Sequence, residues 1–180
     1  MPPPPPPVVA PPYDAKIGSI LRLEDHRVLE DARSRPVAPP PAVDRRGRPL
    51  PAAAAPPATD LLTLLEDTDP RVRRRAALAI GRVGLPAGIA PLTARLADPD
   101  ADVRAMAAFG LVLIGDASAI VALTTALGDL SPLVKGRAAH ALGLLGPEKA
   151  AAAGAAIGAM VRQYVDAGAL ATPPADDGPE

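Results

Sequence analysis

The stretch that decides the fold reads DTDPRVRRRAALAIGRVG at residues 67–84, and the chain repeats its pattern twice more. A valine followed by a cation returns every 31 residues, at Val72-Arg73, Val103-Arg104 and Val134-Lys135. The same step relates three acidic turn residues and three glycines, which are Asp67, Asp98 and Asp129 with Gly84, Gly115 and Gly146. A period of this size, with apolar residues at helical spacing inside it, indicates stacked helix pairs. We therefore predict an all-α fold, a short right-handed α-solenoid.

Each unit is predicted to contain a polar turn, a first helix, a glycine stop and a second helix. Proline suits the first position of a helix, where its missing N–H costs nothing, and glycine suits the residue that ends one. In the third unit the apolar pattern of the second helix arrives late, because Leu123 corresponds to Ile157 at a step of 34 residues. We infer three extra residues in a connection over 147–154. The last helix should end near Gly168, with an inward stripe of Ile157, Val161, Tyr164 and Val165.

The front of the chain differs in composition from the repeats, since most of the 25 prolines precede Thr59. Leu61 and Leu65 fall one period before Leu92 and Leu96, so a short helix capped by Thr59 or Asp60 should be the second half of an incomplete unit. The missing first half is expected from an amphipathic segment that folds back as a cap, with Asp14 as N-cap and a candidate break at 23–27. The predicted divisions are a Pro-rich disordered tail (1–12), this amphipathic segment (13–33), a Pro-rich tether (34–58), a repeat domain (59–170) and a disordered tail (171–180).

Composition excludes several classes of function. A net charge of −1 argues against a general nucleic-acid binder, which is normally basic. The absence of cysteine rules out disulfides, thiol nucleophiles and Cys-zinc sites. No apolar run reaches the roughly 20 residues of a membrane span. We predict no catalytic, cofactor-binding or metal site, because no Ser/His/Asp set, glycine-rich phosphate loop or pair of buried carboxylates can be assembled.

The compartment stays open at this stage. Pro2 to Pro7 follow Met1 where a signal peptide would have a basic and then an apolar region. We expect a soluble, cytoplasmic protein if the chain starts at Met1. A periplasmic or lipid-anchored protein is the alternative if an export signal precedes that residue.

The regular spacing of acids and bases predicts a structural ladder. Each cation of the Val-Arg or Val-Lys pair is placed to bond turn carbonyls or the turn acid of an adjacent unit, which would fix the stacking. A denser basic run, at Arg71, Arg73, Arg74 and Arg75, is not continued in the later units. We therefore interpret it as a solvated face and not as a track for phosphates.

The outer face of the first helices carries the first set of candidate binding residues. With the buried positions pointing inward at 100° per residue, an apolar stripe falls where solvent is expected. Its candidates are Leu78, Met106, Phe109, Leu113, His140 and Leu144. Such a patch indicates either a protein partner or cover by the front of the same chain, and both possibilities remain open. The second helices offer a smaller polar set on the concave face, at Thr93, Arg95, Thr124 and Thr125.

The repeated stretch, DPRVRRRAALAIGRVG at residues 69–84, resembles the HEAT-like repeats first noted in phycobilisome lyases. The resemblance implies HEAT-like helix pairs and a protein-interaction scaffold or adaptor with an unidentified protein partner and no chemistry of its own. Two alternatives come with it. One is a bilin lyase or chaperone-like subunit. The other follows from a similarity of the whole arrangement to bacterial HEAT-repeat proteins that can continue into a cyclophilin-type isomerase domain, of which this chain would be the N-terminal scaffold.

Overall fold

The computed structural model describes residues 11–30, 60–146, 148 and 151–168. The predictions for the tether at 34–58, for the tail at 171–180 and for most of 1–12 lie outside these residues. Over the described ranges the regular structure is helical throughout, with no strand. Its eight α-helices are α1 Tyr13–Asp25, α2 Leu61–Leu65, α3 Pro70–Val83, α4 Ile89–Arg95, α5 Ala101–Ile114, α6 Ile120–Ala126, α7 Pro132–Leu144 and α8 Gly154–Asp166.

The helices form two layers that repeat along the chain. In the first layer α1 packs on α3, α3 on α5 and α5 on α7. The second layer holds the shorter helices, with α2 against α3, α4 against α5 and α6 against α7. A single core of small and branched side chains runs between the layers, and its fully buried members include Ile80, Leu111 and Leu142. The predicted all-α solenoid is confirmed.

Local chemistry sets the ends of the long helices. The Asp69 carboxylate accepts from the Arg71 N–H at 2.9 Å, and Asp100 accepts from the Val103 N–H at 3.0 Å. Both are side-chain caps of the kind that helix starts require. Gly84 and Gly115 end α3 and α5 in the left-handed conformation, with φ of 75° and 76°. A residue with a Cβ adopts that conformation only with strain, so the repeated glycines are explained.

The N-terminal helix shows how the incomplete unit is built. Its N-cap is Pro12, and Asp14 lies in the first turn, so the predicted role of Asp14 as cap is wrong. The helix ends at Asp25 because Arg27 takes a left-handed φ of 54°, as Gly84 does in the next unit. The Val28 N–H then donates to the Leu23 carbonyl at 3.0 Å, which closes the helix end.

Helices α1 and α2 belong together although many residues separate them. Ile20 and Leu23 of α1 are buried in the common core with Leu61 of α2. The Leu61 N–H donates to the Leu29 carbonyl at 2.9 Å, so the chain leaves the unit and returns to it at one point. The shared core and this hydrogen bond bring α1 and α2 together as a helix pair.

The last unit contains the predicted insertion. The short 3₁₀ turns before α6 and α8 are Ala117–Ala119 and Ala151–Ala153, which lie 34 residues apart. The predicted inward stripe on α8 is only partly right. Ile157 and Tyr164 are half-buried, whereas Val161 and Val165 are 45% and 54% exposed. In the described part of the chain no later unit follows to cover them, and the half-buried Met160 packs against the core instead.

Candidate functional site

The acid–base ladder is the most regular polar feature of the structure. Arg73 donates two hydrogen bonds to the carboxylate of Asp98 in the next unit, Nε to Oδ2 at 2.9 Å and Nη2 to Oδ1 at 2.8 Å. Its remaining nitrogen, Nη1, donates to the carbonyls of Asp67 and Thr68 at 2.9 and 3.2 Å. The predicted bonds to turn carbonyls and to a neighbouring acid are therefore both present. Bidentate arginine–carboxylate pairs of this kind fix orientation as well as adding energy.

The ladder continues in both directions from this pair. Arg104 holds Asp129 at 2.8 and 3.0 Å and also donates to the Asp98 carbonyl at 2.8 Å. At the front, Lys16 Nζ lies 2.6 Å from the Asp67 carboxylate, so α1 supplies the first cation. At the other end, the partner of Lys135 is the neutral Gln163, with Nζ and Oε1 3.5 Å apart. The ladder thus links successive units and ends without an acid.

The pKa values show that these groups stay charged. Burial raises the pKa of Asp98, but the Arg73 guanidinium and the Asp100 N–H outweigh it and hold the pKa below its ordinary value. The hydrogen bond from Arg104 lowers the pKa of Asp129 in the same direction, against the effect of burial. A carboxylate that is ionised and fully hydrogen-bonded is not available as a general acid near neutral pH. The ladder is structural.

The basic run on α3 is neutralised by nearby carboxylates. Arg71 lies 2.8 Å from Asp69, and Arg75 lies 2.9 Å from Glu24 of α1. The other two arginines of the run also have an acid within salt-bridge distance, at Asp98 and at Asp102. Paired cations gain little from binding phosphate, because each would first have to give up its carboxylate.

The outer-face candidates are brought together on three neighbouring helices. Leu78 lies on α3, while α5 carries Met106, Phe109 and Leu113, and α7 carries His140 and Leu144. Leu113 and Leu144 are 41% and 60% exposed. Met106 and Phe109 are half-buried and pack against the core, and the Arg137 guanidinium lies 5.3 Å from the centre of the Phe109 ring. Leu78 is also half-buried, and His140 is exposed. We call these six residues the outer patch.

The family model for HEAT repeats matches residues 52–104 and 89–153, which together make more than half of the 180 residues. The chain belongs to the HEAT repeat family. A comparison with curated proteins found no match. The family match is to HEAT repeats in general, and the finer resemblance to the repeats of phycobilisome lyases stays a prediction.

Three of the four polar candidates on the second layer of this HEAT repeat protein make hydrogen bonds or ion pairs within the fold. The hydroxyls of Thr124 and Thr125 donate to carbonyls one helical turn back, at 2.8 and 3.1 Å. Arg95 lies 3.1 Å from Glu66, the residue that follows α2, and 3.5 Å from Asp98, so it contacts the units on both sides of its own. Thr93 is half-buried. This surface offers little free hydrogen-bonding capacity, although Val121 beside it is 77% exposed.

A cleft of about 420 Å³ lies between the C-terminal ends of α1 and α3, and it was not anticipated from the sequence. Glu24 is central to it, because its carboxylate meets both Arg75, at 2.9 Å, and Arg82, at 2.8 Å.

The family of HEAT repeats is typically free of catalysis, and the described residues contain no group of three or more acids or histidines placed to hold a metal ion. None of the described helices is long and apolar enough to cross a membrane.

Two functional positions on α1 were missed by sequence reasoning. Lys16 begins the ladder, and Glu24 fastens α1 to α3 through the two arginines. Both could have been found by aligning α1 with α3 at Arg27, the residue that ends α1. It corresponds to Gly84, and the 57 residues between them also separate Lys16 from Arg73. Because Arg27 is not a glycine, the pattern of the repeats did not point to it.

Proposed function

We propose that this HEAT repeat protein is a scaffold that binds a protein partner through the outer patch and carries out no reaction of its own. The observation that carries the proposal is the exposure of Leu113 and Leu144, which occupy equivalent positions on neighbouring helices of the first layer. Beside them, Met106 and Phe109 expose part of their side chains. Apolar residues that are contiguous and exposed mark interaction sites more often than isolated ones do.

The chemistry of the patch indicates the kind of partner that would fit. The six residues carry no acid and no permanently charged base, so the contact itself should be apolar. Arg137 lies at its edge over the Phe109 ring, and the structure describes no carboxylate paired with it. An amphipathic helix with a row of apolar anchors and an acidic flank would match both features. Aromatic and aliphatic anchors of this type carry most of the energy at protein interfaces.

The position of α1 bears on whether the N-terminal part of the chain covers the outer patch. That helix packs beside α3 and α2, and Glu24 contacts Arg75 and Arg82 at the rim of the outer patch. Its close packing is with α3 and α2, and no comparable packing with α5 is found, which supports a position at the end of the stack and away from Leu113. The Pro-rich residues lie outside the described part of the chain. We propose that α1 acts as the N-terminal cap of the solenoid and leaves the α5 and α7 portions of the patch to a partner.

The test uses the exposed members of the patch, because Phe109 packs against the core and a charge there would disturb the fold. A double variant, Leu113→Asp with Leu144→Asp, should retain its helical circular dichroism and lose the partners that the immobilised wild-type protein captures. Val121→Asp is the matched control, since Val121 is 77% exposed on the other layer. If quantitative mass spectrometry finds the same proteins on the double variant and on the wild type, the outer patch is not the binding site.

A further inference from the structure

Helix α1 is connected to the stack differently from α3 and α5. Residues 26–60 lie between α1 and α2, whereas residues 66–69 are enough to join α2 to α3, and residues 96–100 join α4 to α5. A short turn keeps neighbouring helices together, but a connection of this length lets one helix leave while the next keeps its place. The position of α1 therefore depends on its own contacts with α2 and α3.

The sequence of α1 gives it little helical stability of its own. The helix has 13 residues, a length at which isolated helices are marginal in water. Gly18 and Ser19 in its middle are weaker helix formers than alanine or leucine. Its N-cap, Pro12, makes no side-chain cap bond, and its C-terminal end passes through Arg27 at a left-handed φ of 54°. We therefore expect α1 to be helical only while it is docked.

The packing of α1 on α3 is also less extensive than that of α3 on α5. Between α3 and α5 the backbones touch, since a Cβ on Gly81 would be 2.5 Å from the Cα of Gly110. The glycine of α1 makes no such approach to α3. A Cβ on Gly18 would meet the side chain of Arg22, from its own helix, at 3.5 Å. The docking of α1 thus relies on side chains and not on close contact between backbones.

Charged side chains hold both ends of α1. Toward its N-terminus, Lys16 Nζ lies 2.6 Å from the Asp67 carboxylate. Toward its C-terminus, the Glu24 carboxylate lies 2.9 Å from Arg75 and 2.8 Å from Arg82, whose side chain is 53% exposed. Ion pairs that reach solvent weaken as the salt concentration rises. The contact between α1 and the stack should therefore respond to ionic strength.

We propose that α1 is an exchangeable cap, which dissociates from α2 and α3 as one unit while the other helices stay folded. The surface that it leaves, which we call the cap site, accepts an amphipathic helix of the same chemistry from a partner protein. Its residues include Leu61 in the floor and Asp67, Arg75 and Arg82 at the edges. The cap site is a second binding surface, beyond the outer patch.

The occupant seen in the structure defines what fits the cap site. Ile20 and Leu23, three residues apart, are buried in the common core. Lys16 stands one helical turn before the first of them, and Glu24 directly follows the second. A competing helix therefore needs a cation, two large apolar residues and an acid in this order, so that it meets Asp67 at one end and the two arginines at the other. Its tether gives α1 a high local concentration, so α1 returns after each opening.

Thiol labelling measures the opening, because the sequence has no cysteine and a buried thiol reacts only when its surroundings open. Leu23→Cys places the thiol on α1, and Leu111→Cys places it at the equivalent position of α5; these leucines are 4% and 0% exposed. In the full chain the first thiol should react at least about tenfold faster. Hydrogen exchange of the unsubstituted protein should likewise be faster in α1 than in α5. Equal rates in both experiments would overturn the proposal.

Two substitutions should shift the opening in opposite directions. Glu24→Gln should raise the labelling rate of Leu23→Cys by about fivefold, as should about 1 M salt in the unmodified background. Arg27→Gly should lower it by about fivefold, since glycine adopts the left-handed φ without strain. Asp25→Asn, which neutralises the exposed neighbour of Glu24, is the matched control. If Glu24→Gln changes the rate no more than this control does, the charges do not hold the cap.

The cap site itself is tested with a fluorescein-labelled peptide of residues 11–30. The host is the full chain with Leu23→Asp, because a charge at this buried position should keep its own α1 from docking. The peptide should bind saturably, as measured by anisotropy, and a peptide with Glu24→Arg should bind at least about tenfold more weakly, since it sets a cation against Arg75 and Arg82.

Each other outcome of the peptide experiment counts against the exchangeable cap. If Leu23→Asp abolishes the helical circular dichroism of the whole chain, α1 is not a separable unit. If the host stays helical and binds neither peptide, or binds both equally, the cap site does not recognise a helix as argued. None of these measurements depends on a partner of the outer patch, so the two proposals fail or stand separately.

Discussion

Replacing Asp98 by asparagine should remove a large share of the stability of the repeats. The Asp98 side chain is fully buried and that of Arg73 is 10% exposed, with their closest atoms 2.8 Å apart. Asparagine keeps the shape and can still accept from the Asp100 N–H, which lies 3.0 Å from Oδ1. The guanidinium would nevertheless lose its counter-ion in a buried setting. Removing one partner of a buried pair costs about 3–5 kcal/mol, so we expect about 3 kcal/mol.

The assay is urea denaturation followed by circular dichroism at 222 nm. A loss of about 3 kcal/mol is a large part of the roughly 5–15 kcal/mol that stabilises a typical domain, and it should lower the urea midpoint markedly. Asp102→Asn is the matched control, because Asp102 is 57% exposed and lies 3.6 Å from Arg74. An exposed pair of this kind contributes at most about 1 kcal/mol. If the two variants lose the same small amount, the ladder does not stabilise the stack as argued.

The same carboxylate predicts a dependence on pH. Because the pKa of Asp98 is held below its ordinary value of about 3.9, its contribution is complete above that value. It is lost as the pH falls through the pKa of the folded state. Wild-type stability should therefore decrease below about pH 4 more steeply than that of Asp98→Asn, which has no proton to take up at this position. Parallel curves for the two proteins would show that Asp98 does not drive the acid transition.

Two further predictions concern the backbone. Arg27→Gly should stabilise the protein by about 1 kcal/mol, since it relieves a left-handed φ of 54° on a residue with a Cβ, and an unchanged or lower urea midpoint would contradict this. Gly81→Ala should destabilise it by about 1–3 kcal/mol, because the new Cβ would meet the Gly110 backbone at 2.5 Å. Gly18→Ala is the control for the second variant. Its nearest neighbour is the flexible end of Arg22 at 3.5 Å, so a comparable loss there would remove the steric explanation.

The repeats were predictable because residues at equivalent positions in successive units can be compared with one another. A glycine at the same place in three units can be recognised as a helix stop, and an acid and a cation at a fixed step can be recognised as partners. Gly84 and the pair of Arg73 with Asp98 were located in this way, and the structure agrees. The register change before α8 was visible for the same reason, since Ile157 could be compared with Leu123.

The two ends of the stack were harder to predict, because a terminal unit has a neighbour on one side only. Arg27 takes the backbone conformation of a glycine, so the end of α1 had no recognisable sequence signal. Val161 has the apolar character of an inward residue, yet no described unit covers it. For the outer patch, helical angles assigned Phe109 and Met106 to the outer face but could not show that both also pack against the core. Exposure depends on neighbouring helices, which an angular projection omits.

The hydrogen bond from Leu61 to Leu29 has a consequence for how the protein can be varied. Leu29 and Leu61 are joined directly by this bond, so we expect the packing of α1 and α2 to tolerate a change in the number of residues between them. For a flexible loop, doubling the length raises the cost of closure by only about 0.6 kcal/mol. Natural relatives could therefore differ widely here in length and composition. A fluorescent protein or an affinity tag inserted between these two leucines should be carried without altering the stack.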